Sequence, residues 1–315
     1  MQQGALHAMY PNNSESSFKN HLIAVVIAIV SCIAVLGAMN FFGVTAEQRK
    51  AQSETLKVGD GLTVHFIDVG QGDCTLLTCG GKSMLVDSGD NAAGDKVVRY
   101  LKASGVKYLD IVVATHPHRD HIAGMDAVVQ NFPVKTLYTP VTESDNSYFQ
   151  DLANACKTTN VKLTVPKADS SFSLGGAKVT VLGPRGHYED LENVNNMSIV
   201  LRVDYGEKSF LFTGDAEYDE ETAILDAKCI VDADVIKAGH HGSEDSTGSR
   251  LLHETTPDFC VISCGKGNDY GHPHEATLSR LRDAKVSVYR TDESGTVVCI
   301  TDGKDLRFVT EKNAA

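Results

Sequence analysis

The 315-residue sequence has no block rich in lysine and arginine, and acidic side chains outnumber basic ones by 41 to 29, a formal charge of −12. A wide basic surface that grips nucleic acid regardless of sequence is therefore not expected. A local basic or metal-based site for a phosphate ligand stays open. No two cysteines stand at C-x-x-C spacing, which leaves a structural zinc ribbon unsupported. Apart from Cys32 in an apolar run, the chain has seven cysteines, an odd number that cannot all pair within one chain. Most lie in strand-like runs such as Cys74-Thr75-Leu76-Leu77-Thr78-Cys79, where a thiol behaves as a small buried apolar residue. There is no repeat at fixed spacing and, after residue 60, no long low-complexity break. With 42% hydrophobic and 22% charged residues, the composition excludes a disordered chain, a collagen-like repeat and a polytopic membrane protein. The chain is long enough to bury a full core without a disulfide scaffold.

One stretch lacks charge altogether. No charged residue occurs from Leu22 to Ala46, and Leu22 to Met39 is almost wholly apolar. At about 1.5 Å per residue such a run, with its flanks, crosses a bilayer core of ~30 Å. Residues 22–46 are expected to be one apolar helix, either a transmembrane anchor or a signal peptide. Val44-Thr45-Ala46 offers small residues before a cut, but the length of the run favours the anchor. Membrane attachment through residues 22–39, with the body extracytoplasmic, is the expected placement. Secretion after cleavage is the alternative, and Arg49, Lys50 and Lys57 argue for a cytoplasmic body by the positive-inside count. Residues 1–21 read as a polar tail and 47–60 as a linker. Residues 61–315 read as one domain.

Within that domain strand-like and helix-like runs alternate. Leu62–Val69, Thr75–Cys79 and Ser83–Val86 are strand-like, the last two joined by the turn Gly80-Gly81. Leu109–Ala114, Val134–Tyr138, Ser198–Tyr205, Ser209–Thr213, Asp234–Ala238 and Pro257–Ser263 follow as strands. Ala92–Ala103, Ile122–Asn131, Leu152–Thr158, Glu217–Ala227 and His274–Ala284 have helical patterns. The alternation predicts an α/β architecture of sheets covered by helices.

Chemistry concentrates just after the strands. Behind Leu109–Ala114 comes Thr115-His116-Pro117-His118-Arg119-Asp120-His121, three imidazoles and a carboxylate within six residues. These are ligand types for Zn²⁺ or a similar ion. In an extended loop His116 and His118 point the same way and can grip one ion, while Asp120 and His121 turn toward a second as a helix begins. Behind Ser209–Thr213 comes Gly214-Asp215, a carboxylate placed to bridge two cations. Behind Asp234–Ala238 comes Gly239-His240-His241-Gly242-Ser243. Seven of the twelve histidines fall in these two histidine clusters and in His272-Pro273-His274. Clustering at strand ends is how an active-site rim forms in a layered fold.

The run from His116 to His121 resembles the H-x-H-x-D-H motif of the metallo-β-lactamase superfamily. Phe66-Ile67-Asp68-Val69-Gly70-Gln71-Gly72-Asp73, Leu85-Val86-Asp87-Ser88-Gly89, Asn195-Asn196-Met197-Ser198, Phe212-Thr213-Gly214-Asp215, His240-His241-Gly242-Ser243 and Tyr270-Gly271-His272-Pro273-His274 extend the resemblance. Together they resemble the subgroup formed by the soluble domain of the competence DNA-uptake protein ComEC. The resemblance implies a four-layer αββα sandwich with two divalent ions, Zn²⁺ first and Mn²⁺ second, at the edge between the sheets. It implies that His116 and His118 hold one ion, that Asp120 and His121 hold the other, and that Asp215 bridges. One of His240 and His241 completes the second site. Asp87 is implied as a structural residue that holds the metal loop. A further histidine that many superfamily members place before the bridging Asp has no counterpart here. Asn195, Asn196 and Ser198 occupy that stretch, and His187 lies far upstream. A single apolar span cannot form an uptake channel, so only hydrolase chemistry carries over.

The expected activity is metal-dependent hydrolysis of a phosphodiester by an activated water. Asp120 and Asp215 position the attacking hydroxide. His272 either donates a proton or hydrogen bond to the phosphate or merely forms the turn before His274. Lys237, Ser243, Asn196 and Ser198 are candidate substrate contacts. Single-stranded or nicked DNA is the first substrate class that the resemblance implies, and a choline or teichoic-acid phosphodiester of the cell wall is the alternative. A non-catalytic metal-binding surface module is the reading from another class. No protein partner is indicated.

Overall fold

The computed structural model describes residues 61–186 and 191–312. The apolar run 22–46, the linker and His187 lie outside the described residues. In chain order the strands are β1 Leu62–Phe66, β2 Thr75–Cys79, β3 Lys82–Val86, β4 Leu109–Val113, β5 Val134–Tyr138, β6 Leu163–Thr164, β7 Ser171–Leu174 and β8 Ala177–Gly183. They continue as β9 Val200–Tyr205, β10 Lys208–Phe212, β11 Val235–Lys237, β12 Phe259–Ile262, β13 Ser287–Arg290, β14 Val297–Thr301 and β15 Leu306–Thr310. The helices are α1 Asn91–Ala103, α2 Arg119–Ile122, α3 Met125–Asn131, α4 Ser147–Thr159, α5 Tyr218–Asp226, α6 Ser249–Thr255, α7 Glu275–Asp283 and α8 Thr291–Ser294.

Two sheets result, one in the order β15-β14-β1-β2-β3-β4-β5-β6 and one in the order β13-β12-β11-β10-β9-β8-β7. Strand periodicity explains how they stack. Leu62, Val64 and Phe66 of β1, Met84 and Val86 of β3, and Ile111 and Val113 of β4 face Val179, Val181, Leu201, Phe210 and Phe212 of the second sheet in one shared core. The residues between them point outward. Leu85 and Val112 pack under Val97, Leu101, Val128 and Leu152 of α1, α3 and α4. On the other side Leu211, Ile236 and Cys260 pack under Ile224, Leu251, Leu252 and Leu281 of α5, α6 and α7. Helices thus cover both outer faces of a two-sheet sandwich, with an apolar core at each interface.

The strands that carry chemistry run parallel: β3 beside β4, and β10 beside β11 beside β12. Their C-terminal ends therefore emerge along one edge of each sheet. The edges meet where Ile199 N donates to Thr115 O at 3.0 Å.

Several expectations shift. The strand expected to reach Val69 stops at Phe66, because Gly70 and Gly72 take positive φ and turn the chain into a loop. The helix expected over 122–131 is two helices, broken at Gly124, where an added Cβ would sit 2.8 Å from Ser88 O. The Gly80-Gly81 turn is present, with both residues at positive φ and Cys79 paired to Lys82. All seven described cysteines are unpaired, and six are buried. Among the described residues no helix is long and apolar enough to cross a membrane.

Candidate metal centre

Asp87, just beyond β3, anchors the metal loop. Its carboxylate accepts from Thr115 N at 2.8 Å and Thr115 Oγ1 at 2.7 Å, and lies 2.8 Å from His121 Nδ1. Fixing Nδ1 in this way turns His121 Nε2 toward the second sheet. There His121 Nε2 meets Asp215 Oδ2 at 3.1 Å and His241 Nε2 at 3.3 Å. His241 Nε2 lies 3.1 Å from Asp120 Oδ2 and 3.5 Å from Asp215 Oδ2. A second group adjoins the first. His116 Nε2 is 3.0 Å from His118 Nδ1 and 3.8 Å from Asp215 Oδ2. Two ligand sets therefore share one carboxylate oxygen.

These separations fit bound cations. Ligand bonds of about 2.0–2.1 Å in a tetrahedral array place donor atoms roughly 3.3 Å apart. The inward-facing atoms are lone-pair donors crowded together, and Asp215 Oδ1 is buried without a hydrogen-bond partner. Charge points the same way. Burial opposes protonation of His121, yet Asp215 and Asp87 overcome it and lift its pKa well above the usual value. Burial likewise opposes protonation of His241, but Asp215, Asp73 and Asp120 lift it to about 10. His116, by contrast, is pushed well below its usual value by burial and by the neighbouring His121. The carboxylates thus draw protons onto two buried imidazoles, and a divalent cation supplies the same compensation with its own charge.

The second sheet orients its histidine as the first does. His241 Nδ1 lies 3.0 Å from Ser263 O and 3.2 Å from Asp73 Oδ1, while Asp73 Oδ2 is 2.5 Å from Lys237 Nζ. Asp73 was missed as a functional residue. Its sequence signal is its place at the end of the Phe66–Asp73 run that extends the family resemblance. Lys237 departs from its expected role. It is 2% exposed, points into the interior at Asp73, and does not line the cleft. Asn196 and Ser198 are also buried and serve the scaffold. Asn196 Oδ1 accepts from Glu217 N at 2.9 Å, and Ser198 Oγ accepts from Asp215 N at 3.0 Å while lying 3.3 Å from His116 Nδ1. Ser243 is buried, its carbonyl accepting from Thr277 Oγ1 at 2.7 Å. None of these three lines the cleft.

The cleft over the ligand sets holds about 310 Å³ and is lined by His118, Asp120, Asp215, His240, His241 and His272, with Gln71, Arg119 and Tyr270 at its rim. Both residues of the His240-His241 pair reach it, in different roles. His241 is the buried donor. His240 stands at the mouth, a quarter exposed, with Nε2 3.8 Å from Asp215 Oδ2 and Nδ1 3.6 Å from Glu217 Oε1. His272 packs beside both, at ring-centroid distances of 5.3 and 6.1 Å. Burial, together with His241 and His240, lowers its pKa to about 4. Its Nδ1 is buried without a hydrogen-bond partner. Arg119 is committed to Asp90 at 2.6 Å.

Comparison with known proteins agrees with this geometry. The chain is 31% identical over 252 residues to ComE operon protein 3 of Bacillus subtilis (strain 168), which covers 74% of this chain and 32% of the relative. It is 32% identical over 239 residues to Recombination protein 2 of Haemophilus influenzae, covering 74% and 28%, and 32% identical over 232 residues to Competence protein ComA of Neisseria gonorrhoeae, covering 72% and 30%. The chain thus spans about a third of the length of these curated relatives. Among solved structures, the metallo-β-lactamase fold protein YhfI from Bacillus subtilis aligns over 76% of this chain and 100% of its own, at 17% identity and a TM-score of 0.52. Residues 67–266 match the model described as the metallo-β-lactamase superfamily, and that stretch holds both sheets' metal-facing loops: the chain belongs to the metallo-β-lactamase superfamily.

Proposed function

We propose that this domain hydrolyses phosphodiesters with the help of two divalent ions, Zn²⁺ or Mn²⁺. The carrying observation is that two sets of metal-ligating atoms share Asp215 Oδ2 at the floor of one open cleft. When bound, the ions polarise a phosphoryl oxygen and lower the pKa of a water toward ~7. The protein's own part is placement. His116 and His118 would hold one ion, Asp120, His121 and His241 the other, with Asp215 between them. Asp87 and Asp73 keep the imidazoles of His121 and His241 turned inward. Asp120 and Asp215 orient the attacking oxygen, and His272 donates a hydrogen bond to the phosphate. The names of two relatives, Recombination protein 2 and Competence protein ComA, support nucleic acid as the substrate class.

The full-length chain, loaded with Zn²⁺ or Mn²⁺, is expected to hydrolyse bis-p-nitrophenyl phosphate. Asp120→Asn should lower turnover at least a hundredfold while leaving the chain folded, as read by far-UV circular dichroism. Metal analysis showing bound ions without any hydrolysis would instead establish a metal-binding module.

A further inference from the structure

The loop after β12 is built to hold one aromatic ring outward at the cleft. Asn268 pins it on both sides. Its Nδ2 donates to Gly265 O at 2.9 Å and His272 O at 2.6 Å, and its Oδ1 accepts from Tyr270 N at 3.2 Å and His272 N at 3.0 Å. His274 locks the other end. Its Nδ1 accepts from Glu244 N at 3.0 Å, so Nε2 carries the proton and donates to Tyr270 O at 3.1 Å. On this fixed frame Tyr270 is 66% exposed, although large apolar side chains ordinarily gain by burial. Its ring stacks on His272, with centroids 5.7 Å apart and planes inclined by 22°. One face is therefore taken and the other is open. Across the rim Gln71 Oε1 accepts from Gly265 N at 3.0 Å, but Gln71 Nε2 is buried without a partner. His272 Nδ1 is in the same condition. Unpaired buried donors and acceptors beside an open aromatic face are features of a binding subsite.

We propose that Tyr270 is the platform on which the substrate stacks an unpaired nucleobase, with Gln71 Nε2 donating to the same nucleotide. The proposal rests on the phosphodiesterase reading and assigns the residue that holds a base. Two ring steps, from Tyr270 to His272 and from His272 to His241, separate the platform from the candidate metal ligands. A base within a duplex has both faces covered by its neighbours, so only an unpaired or terminal base can lie on Tyr270. A quaternary ammonium such as choline is gripped by a cage of several aromatic faces. Here Tyr270 is the one residue other than histidine among those lining the cleft that carries an aromatic ring. Base–aromatic stacking is sequence-tolerant and is worth roughly 1–3 kcal/mol per base. It therefore lets an acidic protein hold a nucleic-acid strand without a broad basic surface.

The test uses the full-length, metal-loaded chain with two substrates of equal length and charge, an oligothymidylate and an oligomer whose sugars carry no base. Wild type should show a KM about tenfold lower for the oligothymidylate. Tyr270→Ala should erase that preference, and Tyr270→Phe should keep it. Equal KM values for the two substrates in the wild type overturn the platform while leaving the phosphodiesterase reading intact. If neither substrate is cut, that reading fails, and the platform is still tested by binding. An oligothymidylate carrying one 2-aminopurine should lose fluorescence on wild type and not on Tyr270→Ala; no such loss on wild type overturns the proposal. Hydrolysis of glycerophosphocholine with a KM that depends on Tyr270, in place of the oligothymidylate, also overturns it.

Discussion

A single side chain at this centre is seldom free to be read alone. His241 looks inward because Asp73 faces its Nδ1, and Asp73 tolerates burial because Lys237 Nζ lies 2.5 Å from its other oxygen. Burial by itself would raise the Asp73 pKa, but Lys237 and His241 reverse this and hold it below the usual carboxylate range. Removing one member of a buried ion pair leaves the other charge uncompensated, at a cost of about 3–5 kcal/mol. Lys237→Met should therefore lower the unfolding free energy by about 3 kcal/mol, measured by urea denaturation. Adding Asp73→Asn should recover part of that loss. A Lys237→Met protein as stable as wild type would show that the pair contributes nothing. The histidines and Asp215 were legible in the sequence because His is scarce and their spacing follows strand ends. The Asp73–Lys237 pair was not, because its partners stand 164 positions apart and neither residue type is unusual in a loop or at a strand end. From the sequence Lys237 is a candidate substrate contact. Position in the strand decided otherwise: β11 is buried along its whole length.

Elements join through contacts that periodicity cannot foresee. β1 buries His65 on its outer face, where His65 Nδ1 lies 2.9 Å from Tyr100 Oη of α1. Burial lowers the pKa of His65 from 6.5 to about 4. The unfolded chain then binds a proton more readily than the folded one between those values. The stability contributed by neutral His65 is present above pH 6.5 and is lost as pH falls toward 4. By linkage, about 2 kcal/mol should go between pH 7 and pH 5. Chemical denaturation at the two pH values should show wild type losing ~2 kcal/mol more than His65→Gln. Equal losses would mean that His65 titrates normally. The inner strands were legible because β-branched and aliphatic residues recur there with turn signals between them. The edge strands β7 and β15 were not. Ser171–Leu174 alternates but over only four residues, and Leu306–Thr310 has no fully buried residue, so neither stands out from its polar flanks. The break between α2 and α3 was hidden as well, since a lone glycine in a helical pattern is ordinarily tolerated. The close approach of Ser88, Asp90 and Gly94, which leaves no room for a side chain at Gly124, is a long-range feature that the local pattern does not announce.

At the scale of the whole molecule, the layered α/β class was legible but the routing of the strands was not. No local feature says that β14 and β15 return to the first sheet beside β1 after β7 to β13 have built the second. That routing matters for the metals, because the ligands come from both sheets. His116, His118, Asp120 and His121 follow β4 in the first sheet, whereas Asp215 and His241 follow β10 and β11 in the second. Bound ions would therefore tie the sandwich along one edge, and their removal should be felt by the fold. The two sites should part with their ions unequally. One is offered His116, His118 and Asp215, and the other His121, His241 and Asp215, beside which stand both Asp73 and Asp120, the latter 3.1 Å from His241 Nε2. Fewer protein ligands generally mean weaker binding, although outer hydrogen bonds modify the ranking. Each ion present at a hundred times its dissociation constant adds about 2.7 kcal/mol to folding. Titrating a chelator into the loaded protein should thus lower the unfolding temperature in two steps, one ion leaving in each. His118→Ala should abolish the earlier step and leave the later one. Asp215→Ala should abolish both, because its carboxylate stands in both sites. An Asp215→Ala protein that still holds two ions would break the link between the shared oxygen and the paired sites.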